Sequence, residues 1–188
     1  MEDNSHLFKP FTHGEKVAQT VSEAIKNDDI KTLKDNWKHL SPFQAELDSI
    51  LRGASYHGSH QCIDYLASEG ADVNHDEQTC LYRALKSGKN LAVDTLLKHG
   101  ADINGRNNGP ARYAAIHDDK ELAEIIFVSH NLKVTPEIQT ILDDNDCPGV
   151  KTVIKTRDLH DKLNRNVSVK EDIAKQELQT TRSGSRKL

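Results

Sequence analysis

"EGADVNH" (Glu69–His75) and "HGADING" (His99–Gly105) share five consecutive positions, Gly-Ala-Asp-Val/Ile-Asn, thirty residues apart. A turn written twice at one offset points to a repeated unit, and a repeat changes how every other residue is read. Upstream of the two turns, "SILRGASYHGSHQCIDYLASEGADVN" (Ser49–Asn74) lies over "TCLYRALKSGKNLAVDTLLKHGADIN" (Thr79–Asn104). Leu51 meets Leu81, Ala54 meets Ala84, Gly58 meets Gly88, Leu66 meets Leu96 and Gly70 meets Gly100. Weaker copies flank this pair. "GPARYAAIHDDKELAEIIFVSHN" (Gly109–Asn131) sets Ala114 under Ala84 and Asp118 under Gly88. "VSEAIKNDDIKTLKDNW" (Val21–Trp37) sets Ala24 over Ala54 and Asp28 over Gly58.

Each unit reads as two short helices. In the second, Thr79 is the expected N-cap of "TCLYRALKS", and Gly88 ends that helix by taking a left-handed conformation. "NLAVDTLLKH" follows, with Leu91, Val93, Leu96 and Leu97 near helical spacing, and Gly100 closes it. Asp102 and Asn104 suit the turn beyond, because short polar side chains bond back to local backbone. One helix pair is too small to bury its own apolar face, so stacked copies must supply a continuous core. Alanines at 24, 54, 84 and 114 then form a ladder along which neighbouring helices approach closely.

With Ala, Gly and Leu at those spacings before "GADVN" and "GADIN", the chain resembles the ankyrin-repeat family. The resemblance covers residues 49–104 best, extends through 105–131, and thins over 14–48 and 132–160. It implies an all-α, ankyrin-type helix–turn–helix solenoid with degenerate capping repeats. The slots where the family opens its first helix with Thr-Pro-Leu-His read "SILR", "TCLY" and "GPAR". The family period is about thirty-three residues. The shortfall here falls on "HDEQ" (His75–Gln78) and "GRNN" (Gly105–Asn108), so blunted fingers are expected. The expected organisation is an N-terminal segment at 1–13, a repeat domain at 14–160, and a basic tail at 161–188 comprising a short helix capped at Ser168 and then disorder. Trp37 is expected to pack on the following repeat, and Pro42 to bar a continuous helix between units. "TPEIQTILDDNDCPGVKTVIKTRDLHDKL" (Thr135–Leu163) is expected to form two helices around a polar turn at 143–149.

Composition bounds the function. Of 188 residues, 36% are hydrophobic and 29% charged, which suits an elongated array better than a single globule. Residues 1–150 hold 15 Lys and Arg against 24 Asp and Glu, whereas 151–188 hold 10 against 5. An acidic body argues against general nucleic-acid binding, which depends on neutralising phosphates. No apolar run has the length of a membrane span, and the first residues lack a signal-peptide core. Cys62, Cys80 and Cys147 lie far apart, as reduced thiols in a cytoplasmic compartment would. Cys62 and Cys80 read as buried and inert. His57 and His60 in "HGSH", with Cys62 nearby, are too few and too divided by Gly58 for a zinc site. "DDNDC" (Asp143–Cys147) lacks the spacing of a calcium loop. No phosphate loop, nucleophile elbow or metalloprotease motif is present. No catalytic residue, metal or cofactor is expected.

The resemblance implies that the concave face is lined by residues late in the first helix of each unit. Those slots hold Lys26 and Asn27, Tyr56 and His57, Lys86 and Ser87, and Ile116 and His117; loop tips add Asp76, Glu77, Arg106 and Asn107, with Arg112 steering by charge. The expected function is non-enzymatic: a monomer that grips another protein there, as adaptor, inhibitor or microbial effector in a host cytoplasm. The alternative is that the basic C-terminal segment binds nucleic acid or anionic membrane while the repeats act as scaffold.

Overall fold

A computed structural model describes the backbone of residues 15–37 and 44–184. The expectations for the 1–13 segment, for Pro42 and for the last four residues lie outside the described residues.

The described residues form two layers of helices. The first helices of successive units are α1 (Glu15–Lys26), α3 (Gln44–His57), α5 (His75–Lys86), α7 (Gly105–His117) and α9 (Pro136–Asp143). The second helices are α2 (Ile30–Trp37), α4 (His60–Ser68), α6 (Asn90–Lys98), α8 (Lys120–Ala123) continued by a π-helical turn at Glu124–Ser129, and α10 (Pro148–Gly184). Each helix packs on its counterpart in the next unit: α1 on α3, α3 on α5, α5 on α7, α7 on α9, and likewise α2 on α4 and α4 on α6.

The core is written in rows at the thirty-residue offset. Val21, Leu51, Leu81 and Ala111 form one row, and Leu33, Ile63, Val93 and Ala123 another; all are buried. Ala24, Ala54, Ala84 and Ala114 are 3%, 0%, 0% and 0% exposed, so the ladder lies inside the stack. Methyl groups in these places let the helical backbones approach without a gap.

The residue four beyond each ladder alanine closes the first helix with a left-handed backbone: Asp28 (φ 52°), Gly58 (80°), Gly88 (62°) and Asp118 (47°). After α5, Gly88 N–H donates to Leu85 O (2.9 Å) and Lys89 N–H to Ala84 O (2.9 Å), satisfying carbonyls the helix leaves open. Glycine takes this conformation without cost. At Gly58 there is a second reason for it: an added Cβ would stand 2.7 Å from the Lys89 side chain. Aspartate replaces glycine where its carboxylate has work to do. Asp28 accepts from Cys62 N–H (3.0 Å) and Gln61 N–H (3.3 Å) at the start of α4. Asp118 accepts from Val150 N–H (3.0 Å) and Gly149 N–H (3.2 Å) at the start of α10. Each caps the second helix of the following unit.

The repeated Gly-Ala-Asp turn joins units in a similar way. Asp72 Oδ1 accepts from Asn74 N–H (2.9 Å), and Asp102 Oδ1 from Asn104 N–H (2.9 Å). The Asn74 side chain then bridges outward: its amide donates to Gly100 O (3.0 Å), and its carbonyl accepts from Asp102 N–H (3.0 Å). Trp37 packs on the next unit as expected, edge-on to Tyr65 at 5.6 Å, with its indole N–H donating to Glu69 (3.0 Å).

Four local expectations need correction. Thr79 does not cap α5. The helix is already wound from His75, and the Thr79 hydroxyl donates to Asp76 O (2.6 Å). "HDEQ" is not a free loop but the opening turn of α5, whereas "GRNN" is a separate turn ahead of the right-handed part of α7. The second of these is left-handed through Arg106, Asn107 and Asn108 (φ 51°, 57° and 58°), a conformation costing roughly 1–2 kcal/mol per residue outside glycine. Leu91 does not join the core; it is 53% exposed. Finally, no separate helix starts at Ser168, because α10 runs unbroken from Pro148 to Gly184.

The α7/α8 unit carries one extra residue and absorbs it by winding. In α4 and α6 the closing bonds are Ala71 N–H to Leu66 O and Ala101 N–H to Leu96 O; in the α7/α8 unit the bond is Leu132 N–H to Ile126 O, spanning one residue more. Arg157 of α10 braces the widened turn by donating to Phe127 O (3.2 Å) and Leu132 O (2.8 Å). The last unit, α9/α10, opens with Thr135 and Pro136, the Thr135 hydroxyl accepting from Ile138 N–H (3.4 Å).

Substitutions at two positions test the architecture. Ala84→Leu inserts bulk where helices touch and should lower stability by about 1–3 kcal/mol in denaturant unfolding. Asp118→Gly keeps the left-handed backbone but loses the cap on α10, costing about 1 kcal/mol, whereas Asp118→Ala loses both and should cost about twice as much.

Candidate functional site

Within the first-helix layer, side chains four apart share a helix face, and positions thirty apart share a row across helices. One outward row is Arg52, Tyr82 and Arg112, and the next is Tyr56, Lys86 and Ile116. Tyr82 and Ile116 are 43% and 57% exposed; Lys86 and Arg112 are exposed too, whereas Arg52 and Tyr56 are half-buried. The Tyr56 ring stands edge-on to His57 at 5.3 Å, and the His117 ring lies 4.3 Å from Tyr113. Ser87 is half-buried at the C-cap of α5, its N–H donating to Arg83 O (3.0 Å).

Of the residues expected at loop tips, Asp76, Arg106 and Asn107 sit at the opening turns of α5 and α7; the Glu77 side chain lies outside the described residues. Asp76 approaches Arg52 at 3.8 Å. The left-handed turn carries the Arg106 guanidinium over the Tyr82 ring, 4.6 Å from its centroid, a cation–π geometry worth about 0.5–1 kcal/mol at an exposed site. Arg106 thereby joins the first-helix face. Sequence reasoning missed Tyr82. The signal was there: Tyr82 stands thirty residues from both Arg52 and Arg112 and four before Lys86.

A family model for ankyrin repeats in three copies matches residues 21–107 and 50–137. The chain belongs to the ankyrin-repeat family. It is also similar to FPV031 of fowlpox virus (strain NVSL), described by name as an ankyrin repeat protein, with 41% identity over 96 residues. That match takes in 49% of this chain and 25% of the relative, so the chain spans only a fraction of the viral protein's length. Ankyrin repeats generally mediate protein–protein interaction.

The outer layer of this ankyrin array is tied by histidine–aspartate bridges between units. His99 Nε2 meets Asp64 Oδ1 (2.8 Å), and His130 Nε2 meets Asp94 Oδ1 (2.9 Å). His60 Nδ1 lies 3.0 Å from Asp28, so the two histidines of "HGSH" turn to different partners. Among the described residues no group of three or more His, Cys, Asp or Glu is placed to hold a metal, and no helix is long and apolar enough to cross a membrane. Two grooves lie on the second-helix side, one of about 500 Å³ between Ile30, Tyr65 and Leu91 and one of about 840 Å³ between Val128 and Val153; both are open to solvent.

Electrostatics separate the inert groups from the poised ones. Burial, then the Asp28 carboxylate, pushes the Cys62 thiol up to about 12; burial pushes Cys80 up to about 11. Burial also holds the His57 imidazole below its usual value, and the charges of Lys26 and Lys89 add to that. Asp94 is desolvated, which raises it, but hydrogen bonds from Lys98 and His130 prevail and keep it below the ordinary carboxylate range.

These shifts fix the pH dependence. In the unfolded chain the thiols ionise near pH 9, before the folded ones do, so the folded state binds more protons and stability falls as pH rises from about 9 toward 12. Asp94 works in reverse: its contribution is present at neutral pH and lost as pH falls through its lowered folded value. Unfolding midpoints measured from pH 3 to 11 should decline at both ends, and Cys62→Ala should flatten the alkaline arm.

Proposed function

We propose that the chain is a non-enzymatic interaction module that holds a partner protein on its first-helix face, the concave side of the family's geometry, as an adaptor, inhibitor or effector. The observation that carries this reading is the exposure of Tyr82 and Ile116 beside Lys86 and Arg112 on one face. Aromatic and aliphatic side chains among cations are the composition of interface hot spots. The rows rest on packed helices, so the face is set before a partner arrives, which lowers the ordering cost of binding. Three buried, unpaired cysteines support work in a reducing, cytoplasmic compartment. The likeness to a fowlpox virus protein supports the effector form of the reading, with a host cytoplasm as its setting.

Affinity capture followed by mass spectrometry tests it, with wild type beside Tyr56→Ala/Ile116→Ala and Tyr82→Ala/Ile116→Ala. At least one protein held by wild type should be lost from both variants while their unfolding midpoints stay within a few degrees. Retention of every captured protein by both would refute binding on this face.

A further inference from the structure

We propose that the first-helix face across α3, α5 and α7 takes an acidic segment of its partner protein, one that alternates carboxylates with apolar side chains. This deepens the reading above and rests on it.

The charge of the chain is sorted by place. Residues 1–150 hold 24 Asp and Glu against 15 Lys and Arg, yet the C-terminal halves of α3, α5 and α7 (50–57, 80–86 and 110–117) contain no carboxylate. They carry Arg52, Arg83, Lys86 and Arg112. Several acids of the body are engaged elsewhere. Asp28 and Asp118 cap helices of the next unit, Asp48 accepts from Asp72 N–H (2.9 Å), and Asp64 and Asp94 meet histidines on the second-helix side. Asp76 reaches this face beside Arg52. The buried Nε atoms of Arg52 and Arg83 find no acceptor among the described residues.

The helix dipole accounts for part of this. It favours cations in the last turn, and Lys86 sits there. Arg52 and Arg112 lie five residues before the ends of their helices, beyond the reach of that effect.

Cations and apolar groups interleave. Reading each helix outward gives Arg52 then Tyr56, Tyr82 then Lys86, and Arg112 then Ile116, a chequerboard completed by Arg106 over Tyr82. Packed helices stand about 8–10 Å apart, and an extended chain advances about 3.3 Å per residue. A crossing segment therefore meets a new helix about every three residues, and roughly seven to nine residues span the face. Such a segment satisfies the board only when carboxylates fall opposite the cations and apolar side chains opposite Tyr82 and Ile116. Lys26 and Lys89 stand near His57 and add their charge to the edge of the same face, although burial is the larger reason that its imidazole is held low. A nucleic acid is the competing polyanion. The surrounding acidic body opposes a long phosphate backbone, and the cations here alternate with apolar groups rather than track one line.

The test is selection from a displayed library of random peptides, about twelve residues long so as to exceed the span, on the full chain at physiological salt. The preferred peptide is then measured by fluorescence anisotropy. Enriched peptides should be more acidic than the starting library and carry an aromatic or aliphatic residue between carboxylates. Lys86→Glu/Arg112→Glu should weaken the preferred peptide by about tenfold or more, and exchanging its acidic residues for lysine should restore binding to that variant. Should the double Glu variant fail to fold, Lys86→Gln/Arg112→Gln replaces it, with a smaller loss expected. Neutral or basic winners that still depend on Tyr82 and Ile116 overturn the acidic partner and leave the face intact as a binding site. Winners indifferent to both residue sets overturn the face as well. An unenriched pool, or a DNA oligonucleotide that displaces the preferred peptide, overturns the acidic protein segment.

Discussion

The array depends on one backbone constraint. The first helices α1, α3, α5 and α7 must each stop and reverse within two residues, and a left-handed residue at that place does this while leaving the helix packed on its neighbours. Asp28, Gly58, Gly88 and Asp118 all meet the constraint. Because the reversal falls four residues after a buried alanine, the alanine, the reversal and the start of the second helix keep a constant spacing, and successive units dock in the same way. The rows of core residues at one offset are the consequence of that constancy, not its cause.

The sequence made this part legible because backbone constraints leave few residue types to choose from. Glycine after a helix, alanine between helices and the Asp-x-Asn turn each name their geometry. The helix starts were not legible. A left-handed Arg106 or Asp76 has no residue signature comparable to glycine's, so the opening turns of α5 and α7 read as loops. Leu91 fits a helical apolar pattern yet faces solvent, because periodicity locates a face without saying whether a neighbour covers it. The run of α10 past Ser168 was hidden in the same way: a capping signal is local, and here an uninterrupted helix outweighs it. In the candidate site, Lys86, Ile116 and Arg112 came from the family's geometry, whereas Tyr82 required the row arithmetic to be carried one position further.

The joins between units also determine what the faces look like. Capping a neighbour's helix or bridging to a neighbour's histidine needs an acceptor, and aspartate supplies most of them. Carboxylates are thereby drawn to turns, to the second helices and to the opening turns of α3 and α5. The C-terminal halves of α3, α5 and α7, relieved of that duty, retain arginine, lysine and aromatic side chains, so the charge asymmetry of this face follows from how the stack is joined.

The widened turn at Glu124–Ser129 has a consequence for how such an array changes over time. It lets His130 reach Asp94 although the α7/α8 unit is a residue longer than those before it. A unit can therefore gain an amino acid and still hand the chain on in phase, provided the insertion falls where a helix can be unwound slightly toward solvent. Strict periodicity is then dispensable, and what a lineage must conserve is the phase at each junction.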